Sequence, residues 1–261
     1  MKRLFHHPAD AVPTVIITAG AALALLPFFI PLPIGTAAAV LIGSFAARSI
    51  APVHHHCHSH RRVFRLAFFN IVYDCILLLA AGNPTAVWEL QHVLGHHQSY
   101  LAPERDPAGV ARFGGDGPLQ RIIFTVAGDF SSIADSFRVA RRQKHAARMT
   151  TKLVAQLALM VVVSGGLIFW NPTVALVFVI APNIVLRWMV FYFSYAQHHG
   201  VPNQDVYSGS VTRFGWTNAV FLNVGHHTAH HEKPTLHWTL LPARTEVILQ
   251  KIPAQCVEGA P

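Results

Sequence analysis

Four apolar runs decide what this chain can fold into. They extend over about Ala11 to Ile30, Ile34 to Ile50, Leu153 to Trp170 and Thr173 to Ala196. Crossing a bilayer takes about 20 residues of helix, and each run is close to that length. Inside hydrocarbon the backbone must satisfy its own hydrogen bonds, so runs of this length predict helices. Composition agrees, with 52% of residues hydrophobic and only 12% charged, where a soluble domain carries about 25% charged residues.

Pro31-Leu32-Pro33 joins the first two runs and Trp170-Asn171-Pro172 the last two. Proline ends a helix, so the pattern predicts two hairpins. The joining turns carry no charge. Lys2, Arg3, Arg48, Arg61, Arg62, Arg65, Arg138, Arg141, Arg142, Lys144, Arg148 and Lys152 all fall on the other side. Lys/Arg bias sets orientation, which places both termini and the middle of the chain in the cytoplasm. The expected architecture is all-α and integral to the membrane. Four transmembrane helices in two hairpins carry a cytoplasmic helical cap built from residues 51–152 and 197–261. Residues 1–261 are expected to form one domain. The first run resembles the apolar part of a signal peptide, but it is too long and pairs with a second span, so it reads as an anchor.

Val63–Ala81 is also apolar, but Arg65, Asn70 and Asp74 interrupt it. That mixture suits a helix lying in the interface better than a fifth span. Pro118–Lys152 alternates apolar and basic residues and predicts one or two amphipathic helices on the cytoplasmic membrane face. Ala102–Gly117, rich in Pro, Gly and Asp, predicts a loop. The net charge of +8 would suit nucleic acid, but the cations flank apolar runs and no nucleic-acid motif accompanies them. Cys57, Cys75 and Cys256 form no CxxC pair, so no disulfide framework is expected.

Histidine is the outlier, with 18 copies unevenly placed. His6, His7, His145 and His237 stand apart and read as surface or hydrogen-bonded residues. The remainder form four groups: His54-His55-His56-Cys57-His58-Ser59-His60, His92-Val93-Leu94-Gly95-His96-His97, His198-His199, and His226-His227-Thr228-Ala229-His230-His231. All lie outside or at the ends of the apolar runs. Residues three or four apart share a helix face, with Cβ atoms about 5–6 Å apart. His56/His60 and His54/His58 make overlapping pairs of this kind. His92/His96 makes another, with His97 one step round the helix, and His227, His230 and His231 form an i, i+3, i+4 set. Neutral imidazole suits iron, zinc and copper. These sets supply too many ligands for one ion and predict a two-metal site. His231-Glu232 begins a zinc-protease HExxH but ends on Thr235. Glu89-Leu90-Gln91-His92 is a single Glu-x-x-His, where soluble carboxylate di-iron bundles use two.

With these residues in view, the chain resembles the membrane fatty acid desaturase and hydroxylase family, which carries three histidine boxes. His56–His60 followed by Phe64 and Asn70 resembles the first. Trp88–His97 followed by Asp106-Pro107 resembles the second, although HxxxHH is one residue longer than the usual HxxHH. Asn223-Val224-Gly225-His226-His227-Thr228-Ala229-His230-His231-Glu232-Lys233-Pro234, then Trp238 and Leu241-Pro242, resembles the third. The resemblance covers about residues 35 to 242. It implies two iron ions, with O2 as co-substrate, held by His56, His60, His92, His96, His97, His227, His230 and His231, and by His198 or His199 at the end of the last span. His54/His58 remains the alternative reading of the first box, and Asn223 is either near the ligands or a turn former. The implied reaction is oxidation of an aliphatic C–H bond in a lipid-like substrate, with fatty acyl desaturation favoured. Hydroxylation or ketolation of a carotenoid, alkane or other lipid is the neighbouring alternative. A histidine-rich metal transporter is the rival from another class, and it would place ligands along a path within the spans.

The partners implied are the membrane, a lipid or carrier-bound acyl substrate and a separate electron donor such as ferredoxin. A bacterial-type inner membrane, with the site on the cytoplasmic side, is the expected location. Asp74, Asp106, Asp129 and Asp205 are candidates to orient ligand imidazoles. Arg187, inside the last span, is read as snorkelling toward the cytoplasm, with pairing to Asp74 or to a substrate head group as the alternative. The strip Arg138, Arg141, Arg142, Lys144, Arg148 and Lys152 suits anionic lipid or an acidic partner.

Overall fold

Hydropathy translates directly into helices. The computed structural model describes residues 4–58, 61–102, 104–113 and 117–259, and these are mostly helical. Among the described residues, four helices are long and apolar enough to cross a membrane: Pro8–Phe28, Ile34–His58, Ala146–Trp170 and Pro172–His198. The third begins at Ala146, not Leu153, because Arg148 and Lys152 continue the helix where hydropathy alone breaks off. Its sides are bare, with Val161, Val162 and Phe169 all exposed and Phe169 94% so. Apolar surface of that extent needs a hydrocarbon neighbour.

The described residues fall into two compact units, one drawn from residues 1–55, 62–86 and 144–187, the other from 56–61, 87–143 and 188–261. In the first unit, α1 (Ala11–Leu25) packs on α2 (Ile34–Arg48). Small residues let the backbones approach: a Cβ on Gly20 would stand 2.8 Å from the Ala47 Cβ, and Ser44 Oγ donates to the Gly20 carbonyl at 3.0 Å. This is the small-residue contact expected between helices in lipid.

Arg48 departs from its sequence reading. It is fully buried, not a cytoplasmic cation. It donates to Asn183 Oδ1 at 3.0 Å, to the Phe178 carbonyl at 3.0 Å and to Ser44 O at 3.4 Å. Phe178 lies in a π-helical stretch, Ala175–Ile180, ahead of α10 (Ala181–His198). Such a stretch disturbs the regular hydrogen-bond ladder, and the guanidinium is placed to satisfy the carbonyl. Arg187 likewise donates to a backbone carbonyl, that of Gly82 at 3.0 Å.

The Phe64 and Asn70 of the first box act together. Asn70 accepts from Phe64 N at 3.0 Å and donates to Phe64 O at 2.7 Å, which pins the start of α4 (Ala67–Ala81). Phe5, Phe64, Tyr73 and Leu77 form the core beside it.

A short turn of helix, α5 (Thr85–Trp88), ends in the second unit, where the chain runs on into a π-helical stretch, Glu89–His96, and then α6 (His97–Ser99). The segment expected to be a loop holds one 3-10 turn at Val110–Phe113. α7 (Pro118–Arg141) packs against the π-helical stretch, with Ser136 Oγ 3.3 Å from Val87 O. Its buried face is mixed, with Asp129, Ser132, Asp135 and Ser136 beside Phe124 and Val139, while Leu119, Ile122 and Phe130 are exposed. After α10, a two-residue parallel pair joins β1 (Thr212–Arg213) to β2 (Val257–Glu258). α12 (His227–Glu232) and α13 (Leu241–Ile248) close a small core of Ala229, Leu241, Ile248, Ile252 and Cys256.

Candidate metal centre

Eight of the nine histidines expected as ligands meet in the second unit. The ninth, His60, lies outside the described residues. Within the first box, the ring contacts with the other boxes belong to His56. Its centroid lies 4.6 Å from His92 and 4.3 Å from His230. His54 instead sits in the first unit, with Nδ1 2.7 Å from Tyr73 Oη and Nε2 3.4 Å from Asp10 Oδ1. His58 turns Nδ1 to the Arg61 carbonyl and its ring toward His237.

The imidazoles sort into two adjoining groups. In one, His97 Nε2 lies 3.0 Å from His92 Nε2 and 3.0 Å from His230 Nε2, with His56 beside them. In the other, His198 Nε2 lies 3.1 Å from His96 Nε2 and 3.0 Å from His227 Nε2, and His227 Nε2 lies 3.1 Å from His231 Nε2. Each group contains three imidazoles whose ligand atoms all lie within 4.8 Å of one another: His56, His92 and His230, and His96, His198 and His231. Rings of the two groups touch, as with His97 and His231 at 4.5 Å.

Each element has a reason to present these side chains. On α12 the i, i+3, i+4 spacing puts His227, His230 and His231 on one face. Ala229 on the other face enters the core, and Thr228 Oγ1 meets Ser210 Oγ at 3.1 Å. The helix is held from its C-terminal end by Arg244, whose Nε donates to Glu232 Oε2 at 2.6 Å. That hydrogen bond holds the Glu232 carboxyl below its ordinary value despite the opposing effect of burial. In the second box the π-helical turn brings His97 onto the face that His92 and His96 occupy. His198, not His199, takes the place at the end of α10. His198 Nδ1 meets the Gly209 carbonyl at 3.0 Å, while the His199 ring stacks on Tyr195.

Of the four candidate carboxylates, Asp106 touches a cluster imidazole: its Oδ2 accepts from His96 Nδ1 at 2.8 Å, and its Oδ1 accepts from Ala108 N at 2.8 Å. Burial opposes the Asp106 charge, but His96 and the Ala108 N–H more than compensate, so its carboxyl is held below the usual range. Gly95 makes this possible. A Cβ there would stand 2.5 Å from Pro107 Cγ, so only glycine lets the Asp106-Pro107 turn close on the helix. Asp74 instead pairs with Arg62, and Asp205 accepts from the N–H groups of Tyr207 and Ser208. Asn223 adopts a left-handed φ of 59° and donates to Trp238 O, as a turn former does.

Sequence reasoning did not anticipate the aromatic walls. Trp88 stacks on His92 at 4.6 Å and Tyr100 lies 4.3 Å from His231. His237 is buried, and its Nδ1 caps Thr239 N. Trp88 opens the second-box pattern, which was a usable signal; nothing local singles out Tyr100.

The hydrogen bonds test whether this donor set suits a metal. His198 Nδ1 faces a carbonyl and His96 Nδ1 a carboxylate, so each Nδ1 carries a proton and Nε2 is the atom that each ring turns inward. The two Nε2 atoms lie 3.1 Å apart, so both rings present their second nitrogen to one point, as ligands of one ion do. Burial first, and neighbouring imidazoles second, hold His227 and His231 well below the ordinary histidine range. Neutral, buried, convergent imidazoles are the form that binds transition metals.

Comparison with known proteins agrees with this geometry. A family model described as fatty acid desaturase matches residues 16–258, while no curated protein matches the chain. That match spans all three histidine boxes and all four candidate spans but the first turns of one, and the chain belongs to the fatty acid desaturase family.

Proposed function

We propose that this chain is a membrane-bound di-iron oxidoreductase that oxidises an aliphatic C–H bond of a lipid-like substrate with O2, in the form of fatty acyl desaturation. The observation that carries the reading is the pair of imidazole groups with inward-facing Nε2 atoms. One iron would be held by His56, His60, His92, His97 and His230. The other would be held by His96, His198, His227 and His231. Iron so bound supplies the O2-dependent redox chemistry that side-chain acids and bases cannot provide.

The protein's own part is placement and exclusion. Asp106 fixes the tautomer of His96, and the Gly209 carbonyl fixes that of His198. Trp88 and Tyr100 wall the cluster with apolar rings, and the burial of six of its histidines keeps bulk water away. An apolar chain would approach between helices, as is usual for apolar pockets with a few polar groups.

The proposed topology is two hairpins with their turns at Pro31–Pro33 and Trp170–Pro172 on the outer side of a bacterial-type inner membrane. Residues 51–152 and 197–261 then lie on the cytoplasmic side in one functional domain, with a separate carrier such as ferredoxin supplying electrons. The basic residues clustered in those segments support this orientation.

Lipid extracts from cells with and without the gene test the reading by mass spectrometry. A new double bond in the acyl chains is expected; a new hydroxyl or keto group would redirect it to hydroxylation. Metal analysis of the purified protein should find about two irons per chain by this donor count. Metal uptake into vesicles without O2 consumption would replace the enzyme reading with a transporter.

A further inference from the structure

Away from the imidazoles, the second unit holds a cavity of about 400 Å³ between the 104–107 turn, the Val110–Phe113 turn and the end of α7. Its lining is charged: Arg105, Arg112, Arg138 and Arg142 against Glu104, Asp106 and Asp135. Two of those carboxylates are already committed. Asp135 pairs with both Arg112 and Arg138, and Asp106 accepts from His96. Arg105 and Arg142 stand exposed at its edge, with the third carboxylate, Glu104, exposed beside them. The rim therefore presents two cations against one carboxylate, and a lining of this kind is a poor place for an aliphatic chain.

What distinguishes this pocket is its wall. Asp106 lines it and is also bonded to His96, so one carboxylate and one imidazole separate the pocket from the cluster. The link is held firmly: Arg112 donates to Pro107 O at 2.9 Å while its other nitrogen meets Asp135 Oδ1 at 3.0 Å.

We propose that this pocket is the docking port for an acidic one-electron carrier protein, which passes electrons to the metal centre through Asp106 and His96. The inference rests on the di-iron reading. Each transfer oxidises the carrier's centre by one electron and reduces one ferric ion to ferrous, and no bond is made or broken. Carboxylates on the carrier would meet Arg105 and Arg142, and complementary charge of this kind raises association rates by about 10 to 10³-fold at low salt.

The test uses the full chain, iron-loaded, in nanodiscs of neutral phosphatidylcholine, with a reduced [2Fe–2S] ferredoxin as probe. Stopped-flow spectroscopy follows ferric loss under nitrogen, and binding of oxidised ferredoxin is titrated separately. Arg105→Glu with Arg142→Glu should slow reduction by ferredoxin about tenfold at low salt and weaken its binding in parallel. The difference should fade as salt shortens the screening length to about 3 Å near 1 M. Arg141→Glu, one residue outside the pocket, should stay within about twofold of wild type. Reduction by methyl viologen radical, a small cation, should not slow in any variant.

Wild-type kinetics and binding with ferredoxin in the double variant would overturn the proposal, as would an equal slowing with methyl viologen. Loss of acyl carrier protein binding with ferredoxin reduction intact would overturn it too, and assign the pocket to substrate delivery. A chain that takes up no iron defeats the di-iron reading alone, since the ferredoxin titration still reports on the port.

Discussion

Asp106→Asn isolates the carboxylate that aims His96. The hydrogen bond it removes or weakens is short, at 2.8 Å, and lies between residues that are both almost fully buried. A hydrogen bond to a charged group contributes about 1.5–3 kcal/mol. The amide oxygen still accepts from His96 Nδ1, so the geometry survives and the charge does not. Loss of about 1.4–2.8 kcal/mol corresponds to 10- to 100-fold weaker metal binding, which is the usual scale for removing such a partner. Asp106→Leu removes the acceptor for both His96 and Ala108 N and frees the imidazole to turn its proton inward, so it should fall at or beyond the weak end of that range.

Iron affinity measured by competition with a series of chelators reads this directly, with thermal unfolding in detergent as a check on folding. Gly95→Ala reaches the same bond from the other side. Its Cβ would stand 2.5 Å from Pro107 Cγ, so the turn must move, and overpacking of this kind costs about 1–3 kcal/mol. Iron affinity within twofold of wild type in both Asp106 variants would refute the claim that this carboxylate orients a ligand.

Three further outcomes follow from the same contacts. His198→Ala should lose at least half of the bound iron while His199→Ala retains it, by metal analysis of matched preparations; equal retention would remove His198 from the site. His56→Ala should lose iron, whereas His54→Ala should keep it and unfold at a lower temperature, because His54 is buried against Tyr73 and Asp10. Arg48→Met leaves Asn183 Oδ1 and the Phe178 carbonyl without their donor at about 1–3 kcal/mol each. Resistance to unfolding in mixed micelles should drop accordingly, and unchanged resistance would show that those acceptors find other donors.

Much of the fold was legible because lipid imposes a coarse rule. Any run apolar enough for hydrocarbon must be a helix of about the right length, so all four spans could be placed within several residues. The rule fails at helix ends. Nothing in hydropathy says that Arg148 and Lys152 extend α8 (Ala146–Trp170), or that Arg48 turns inward to Asn183 rather than outward to water. The imidazole cluster was legible as residue types and spacings. Its choice between registers was not, because His54, His56 and His58 all lie on one short helix, α3 (Ala51–His58). Only tertiary neighbours distinguish them: Tyr73 and Asp10 for His54, His92 and His230 for His56. The same limit kept Asp106 level with Asp74, Asp129 and Asp205, since its importance comes from a turn that closes only over Gly95.

The second box shows where sequence pattern and physical structure meet. In an α-helix each residue advances about 100°, so His96 lies about 40° from His92 but His97 about 140° away, on another face. The extra residue of HxxxHH would then cost the site one ligand. A π-helical turn spreads its hydrogen bonds to i+5, so each residue advances only about 80°, and His96 and His97 then flank the direction of His92. The observed 3.0 Å between His92 Nε2 and His97 Nε2 has that origin. π-helical turns are costly and concentrate at functional sites, so a chain that keeps one here gains something from it. The gain visible in the structure is a third converging imidazole, on a stretch that packs against α7. The longer spacing is therefore matched by the wider helical turn, which keeps His92, His96 and His97 on one side.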